Sequence, residues 1–292
     1  MFGFLHGLKC PLRTTAFSAA AVAGLWLTVF PGGNADAASD RRDGVLCPHA
    51  LPTYRDWTPQ EAWAWSARIC LGKRADMSAY GAGDGKSCDP AKGRDWPETR
   101  KLSAEFLDTI LNGKPYREIL HRSGVQIRCA RFSAPIDLSN MTLDRPLFLT
   151  ETVFSDDLLL TSARILGRLA LDGSHVNGEF LAGNLKVDGN FSMGGNARFK
   201  RVLLTGAKVS GWLKLTGSRF DGLFDAARIQ TADSIFMRDA SFRDIRLIGA
   251  RIGGSLHLRK GNFDGDFDLT SASIADELQL NTPPGKKSDA AA

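Results

Sequence analysis

Cysteine is scarce in this chain, five in 292 residues, and no two of them stand as CxxC. That spacing is the usual mark of a structural zinc site. Its absence, with His49 the one histidine near Cys47, Cys70, Cys88 or Cys129, argues against zinc. An excess of one charge sign is missing too. Lys and Arg number 37 against 32 Asp and Glu, a net +5, too mild for composition alone to argue a nucleic-acid partner. No apolar run reaches the roughly 20 residues that a membrane-spanning helix needs. No Ser/His/Asp order, metal cluster or cofactor fingerprint stands out, so neither cofactor nor metal is expected. With 43% hydrophobic and 24% charged residues, the composition is globular, free of the bias of disordered or collagenous chains.

What is present begins with a targeting pattern. Lys9 and Arg13 precede residues 16–30, a run of apolar and small side chains, and Ala35-Asp36-Ala37 offers small residues at both recognition positions of a cleavage site. Residues 1–37 read as a signal peptide, with an uncleaved anchor as the alternative. The protein is therefore expected in the periplasm or cell envelope. Four cysteines then remain, Cys47, Cys70, Cys88 and Cys129. An even number in an exported chain suggests two disulfides, in any of three pairings.

Residues 38–123 read as a small α-helical cap. Thr58-Pro59-Gln60-Glu61 is a capping box with proline at the first helical position, and Gly72 can end that helix. A second helix fits residues 104–112 with Ser103 as N-cap, and a third fits residues 115–121. Trp57, Trp63, Trp65 and Trp96 supply bulk for this cap. The stretch Gly81-Ala82-Gly83-Asp84-Gly85-Lys86-Ser87 resembles a phosphate-binding loop, but its first glycine position falls on Tyr80 and no strand precedes it. It reads as a surface loop held by Cys88.

From Val125 to Leu280 a unit of about eleven residues repeats, and fourteen units fit one template. A small residue is followed two positions later by a large apolar anchor, and four and six positions further on by two more apolar residues. The anchors read Phe132, Leu143, Phe154, Ile165, Val176, Val187, Phe199, Val209, Phe220, Ile229, Phe242, Ile252, Phe263 and Ile274. A period this short over half a chain means a stacked solenoid. One unit cannot enclose a core, but two can, giving coils of about 22 residues and a rod of roughly 34 Å. Ala130-Arg131-Phe132, Ala163-Arg164-Ile165 and Ala250-Arg251-Ile252 resemble the small-x-large core of the pentapeptide-repeat family. That resemblance implies an all-β solenoid, a right-handed quadrilateral β-helix over residues 124–281, with residues 282–292 as a disordered tail. Ile69-Cys70-Leu71-Gly72 and Gly124-Val125-Gln126-Ile127 also resemble exported bacterial relatives, a likeness that brings no activity with it.

Function has to come from outward positions that the core does not explain. Just before the anchor, every second unit carries Arg164, Lys186, Lys208, Arg228 and Arg251. Five cations one coil apart repel, and no acidic row is expected beside them, while Lys214 and His257 are expected nearby. They read either as a solvated edge or as a ladder for a polyanion: anionic lipid, acidic glycan or an acidic envelope protein. On the other units Leu159, Leu181 and Leu203 form an outward apolar strip, expected to lie under the N-terminal helices. Asp221 and Asp264 share one register two coils apart, a spacing that could serve inverting glycoside cleavage. The reading is thus a non-enzymatic binding or scaffold surface at the cell envelope, without nucleic acid. A carbohydrate-active enzyme using Asp221 and Asp264 is the alternative, and a second copy of the chain is a further candidate partner.

Overall fold

A two-residue strand cannot hold itself; it persists only when paired above and below. The structure, a computed structural model, describes residues 56–81 and 83–280. The expected signal peptide, Cys47 and the tail after 281 lie outside the described residues. Within them the chain is a parallel β-solenoid of about 7 turns with ~22-residue spacing. Each coil has four short faces. Face 1 runs from Val125–Arg128 to Leu278–Gln279, and face 2 from Arg131–Phe132 to Asn262–Phe263. Face 3 runs from Ile136–Asp137 to Phe267–Asp268, and face 4 from Thr142–Leu143 to Ser273–Ile274. In the middle coils faces 2 and 3 join in bulged strands such as His175–Leu181 and Arg219–Asp225.

The template's alternation is the inside of the rod. Phe132, Phe154, Val176, Phe199, Phe220, Phe242 and Phe263 stand in one column on face 2. Phe199, Phe220 and Phe242 stack at 5.5 and 4.6 Å between ring centroids. Burying each such ring stabilises by about 1.5–3 kcal/mol. Where the small position is polar, the backbone satisfies it: Ser174 Oγ donates to the Leu149 carbonyl at 2.7 Å, and Ser218 Oγ to that of Met193 at 2.6 Å. A left-handed residue marks the corner before each small residue, from Cys129 to Ser271.

The N-terminal region closes the first coil. Thr58 and Glu61 form the capping box of α1 (Pro59–Trp63), which continues through one π turn and a 3₁₀ turn to Gly72 at φ +71°. Ser103 caps α2 (Ala104–Asn112) by accepting from the Phe106 amide, and α3 spans Tyr116–Ile119. Buried Glu61 also accepts from the Ser103 amide at 2.6 Å, which ties the start of α1 to that of α2. Trp57 packs on Phe106 and on Tyr116, both at 5.0 Å. The region adds rungs as well as helices: Ala75–Asp76 pairs with Ile127 and Arg128, and Lys101–Leu102 with Arg131 and Phe132. Cys88 is bonded to Cys129, and Cys70 is also disulfide-bonded. No helix among the described residues is long and apolar enough to cross a membrane.

Candidate functional site

Face 4 is where the expected ladder falls. Thr142, Arg164, Lys186, Lys208, Gln230, Arg251 and Ser273 stand in register, one per coil. Their partners Leu143, Ile165, Val187 and Val209 are buried, so this row points outward. Arg228 is not in it, which corrects the sequence expectation. The tripeptide Ala227-Arg228-Ile229 copies Ala163-Arg164-Ile165 and draws the template to itself. The residue eleven after Phe220, however, is Thr231, and Thr231 pairs with Val209 and Ile252. Ile229 is buried at the small-residue position instead. Arg228 stands at the corner with φ +56° and is exposed. The anchor Thr231 is accommodated because its Oγ1 donates to the Asp233 carbonyl at 2.6 Å.

The row's charge is only partly compensated. Arg164 donates to Asp188 from Nε and from an Nη, at 3.1 and 2.7 Å, so one rung does have an acidic neighbour. Lys186, Lys208, Arg228 and Arg251 are all exposed, and none makes an ion pair among the described residues. Lys214 and His257 stand one corner beyond the row rather than in it. They lie on face 1 in the column Ser192, Lys214, Phe236, His257, where His257 stacks on Phe236 at 4.6 Å and hydrogen-bonds Gln279.

Face 2 carries a second basic row that sequence reasoning missed, although the same outward position on the alternate units signals it. It reads Arg131, Val153, His175, Arg198, Arg219. Its arginines are spoken for: Arg131 pairs with Glu98, and Arg198 and Arg219 both donate from Nε to Asp221 at 2.6 Å. On face 4, by contrast, Lys186, Lys208 and Arg251 make no ion pair among the described residues.

Asp221 and Asp264 do line one cleft of about 530 Å³, with Arg219, Arg243, Asp244 and Ser241. Partial burial works to raise the Asp221 carboxyl. The hydrogen bonds from Arg219 and Arg198 outweigh it and hold the group below the usual carboxylate range. A glycosidase acid needs a carboxyl shifted the other way, and Arg243 occupies the coil between the two acids. Asp221 is thus a salt-bridged corner carboxylate, held ionised by two arginines.

The lookalike phosphate loop is also resolved by its contacts. Arg100, fully buried, donates to both oxygens of Asp84 at 2.6 and 2.5 Å and to the carbonyls of Lys86 and Ser87 at 2.7 and 3.1 Å. Its guanidinium lies 4.8 Å from the Trp96 ring centroid. The loop turns oxygens toward a cation, the inverse of a phosphate cradle. Asp76, Cys88 and Cys129 converge closely enough to suggest a metal site. The two sulfurs are joined as a disulfide, whereas a metal needs thiolates, and Asp76 is engaged by Arg128 at 2.7 Å.

On face 3, Leu159, Leu181 and Leu203 stand in register, half-exposed, between Asp137 and Asp225. The cap helices were expected to cover them. The helices instead pack on one another and on the first rungs, and none of their principal contacts is with this strip. No family model, curated protein or solved structure matches this chain.

Proposed function

We propose that this chain is a non-enzymatic, exported pentapeptide-repeat β-helix whose face 4 binds an anionic partner at the cell envelope. One observation carries the reading: Lys186 and Lys208 stand directly in register in adjacent coils, with Arg164 and Arg251 in the same row and Arg228 at the adjoining corner, and four of the five make no ion pair among the described residues. Like charges opposite one another on a sheet destabilise it. The fold gains nothing from them, and an anionic partner would supply the missing counterions. Inorganic polyphosphate serves as a soluble probe. The protein should bind it at low salt and release it as ionic strength rises, because exposed contacts are screened over ~8–10 Å. Replacing Lys186, Lys208 and Arg251 together by Gln should remove the binding and leave the melting temperature unchanged or slightly raised. Equal binding by that variant, or none by the wild type, would overturn the reading.

A further inference from the structure

The three coils that carry Arg164, Lys186 and Lys208 also carry Leu159, Leu181 and Leu203. In each coil the leucine precedes the cation by five residues, across a single corner. The pairs are Leu159 with Arg164, Leu181 with Lys186, and Leu203 with Lys208. Both rows are in register along the rod, so an apolar strip and a basic strip run side by side. The corner between them is built of small polar residues and glycine: Thr161 and Ser162, Gly183 and Asn184, Thr205 and Gly206. Nothing bulky stands between the strips. Leu166, two residues beyond Arg164, is a further exposed apolar side chain at 36%. Asp137 and Asp225 bound the strip at its two ends, Asp225 accepting from Thr205 Oγ1 at 3.3 Å and from the Ala227 amide at 3.0 Å, while Asp157 and Glu179 lie on the side away from the cations. Asp157 accepts from the Glu179 amide and Glu179 is paired with Arg201 at 3.0 Å, so they do not face the corner.

An acidic glycan or polyphosphate would neutralise the cations but leave the leucines in water. The surface that offers phosphate charge and hydrocarbon within one plane is an anionic bilayer. We infer that the edge between faces 3 and 4, over these three coils, docks on the surface of an anionic lipid membrane. The cations meet headgroup phosphates and the leucines enter the interfacial zone. This rests on the proposal that face 4 binds an anionic partner, and narrows that partner to lipid.

The test uses sedimentation with vesicles of phosphatidylcholine alone, or with phosphatidylglycerol added, alongside the polyphosphate assay. The wild type should sediment with anionic vesicles and not with neutral ones. Replacing Leu159, Leu181 and Leu203 by Thr keeps strand propensity. That variant should retain polyphosphate binding and lose vesicle affinity by ~10-fold or more. The Lys186, Lys208 and Arg251 variant should lose both, its vesicle affinity by on the order of 100-fold. Leu181→Thr alone, central in the strip, should move vesicle binding in the same direction by less and serves if the triple variant melts early. Polyphosphate binding without vesicle binding would overturn the lipid inference and leave an acidic glycan or protein as partner. So would vesicle binding undiminished in both leucine variants. Binding to neither probe would overturn the anionic reading with it.

Discussion

At the scale of single residues, the corners set what each position tolerates. A left-handed backbone costs an ordinary residue about 1–2 kcal/mol, and Arg228 adopts one at φ +56° where Gly206 and Gly249 stand at the same corner of the neighbouring coils. Arg228→Gly should therefore raise stability in thermal melts by about 0.5–1 kcal/mol, part of the relief being offset by glycine's unfolded-state entropy. Gly124→Ala should do the opposite. Gly124 has φ +75°, and a Cβ there would fall 1.9 Å from the Pro146 carbonyl oxygen, so a loss of about 2–4 kcal/mol is expected. The sequence shows small and large residues in alternation, but not which local match is the true one. Ala227-Arg228-Ile229 copies the tripeptide Ala163-Arg164-Ile165, although Asp233 stands four positions after Ile229 where the template has an apolar residue. The pairing of Thr231 with both neighbouring coils is what rejects it.

At the scale of elements, the cap's short helices bury Trp65, Phe106, Leu107 and Ile110 in the core, and its long loop is fastened by one buried arginine and a disulfide. Arg100 binds Asp84 and two carbonyls beneath Trp96, and Cys88 fastens the same loop to the first corner at Cys129. Arg100→Met would leave the Asp84 carboxylate and both carbonyls without their donor, a loss of about 3–5 kcal/mol. In hydrogen exchange, amides of residues 84–90 should lose protection while faces 1 and 4 beyond residue 165 do not. Uniform loss of protection along the rod would contradict this division. The helices were legible from their caps, because Thr58, Glu61 and Ser103 act on amides two or three residues away. The rungs at Ala75–Asp76 and Lys101–Leu102 were not, since their partners lie 52 and 30 residues further along.

At the scale of the molecule, ionisable groups set how stability depends on pH. Partial burial and then the Arg198 charge push the His175 ring below its ordinary value near 6.5. The unfolded chain thus takes up that proton first, and stability present above pH ~6.5 declines as pH falls below it. Among carboxylates, the Arg100 hydrogen bond lowers Asp84. Burial would raise Asp76 and Asp221, but hydrogen bonds to Ser78 and Arg128, and to Arg219 and Arg198, outweigh it. Their contribution is present above the ordinary 3.8 and is lost as pH falls through the lower folded values. Melting temperature against pH should show a plateau near neutrality, a shallow decline below pH ~6.5 and a steep one below ~4. His175→Asn should remove the shallow decline and leave the steep one.

The eleven-residue period by itself determined the solenoid, its coil size and its inward residues, because in a stacked coil the core contacts repeat with the sequence. It also placed cations outward on alternate units. Which cations have counterions was decided only by tertiary structure. Asp188 reaches Arg164 from the next coil, and Asp221 holds Arg198 and Arg219 together, contacts between residues more than 20 apart or across a bulge. The leucine strip beside the cations was likewise visible as two separate rows. Their constant five-residue spacing is in the sequence, but that a single corner turns between them, so that the strips run side by side along the rod, follows from the coil's geometry.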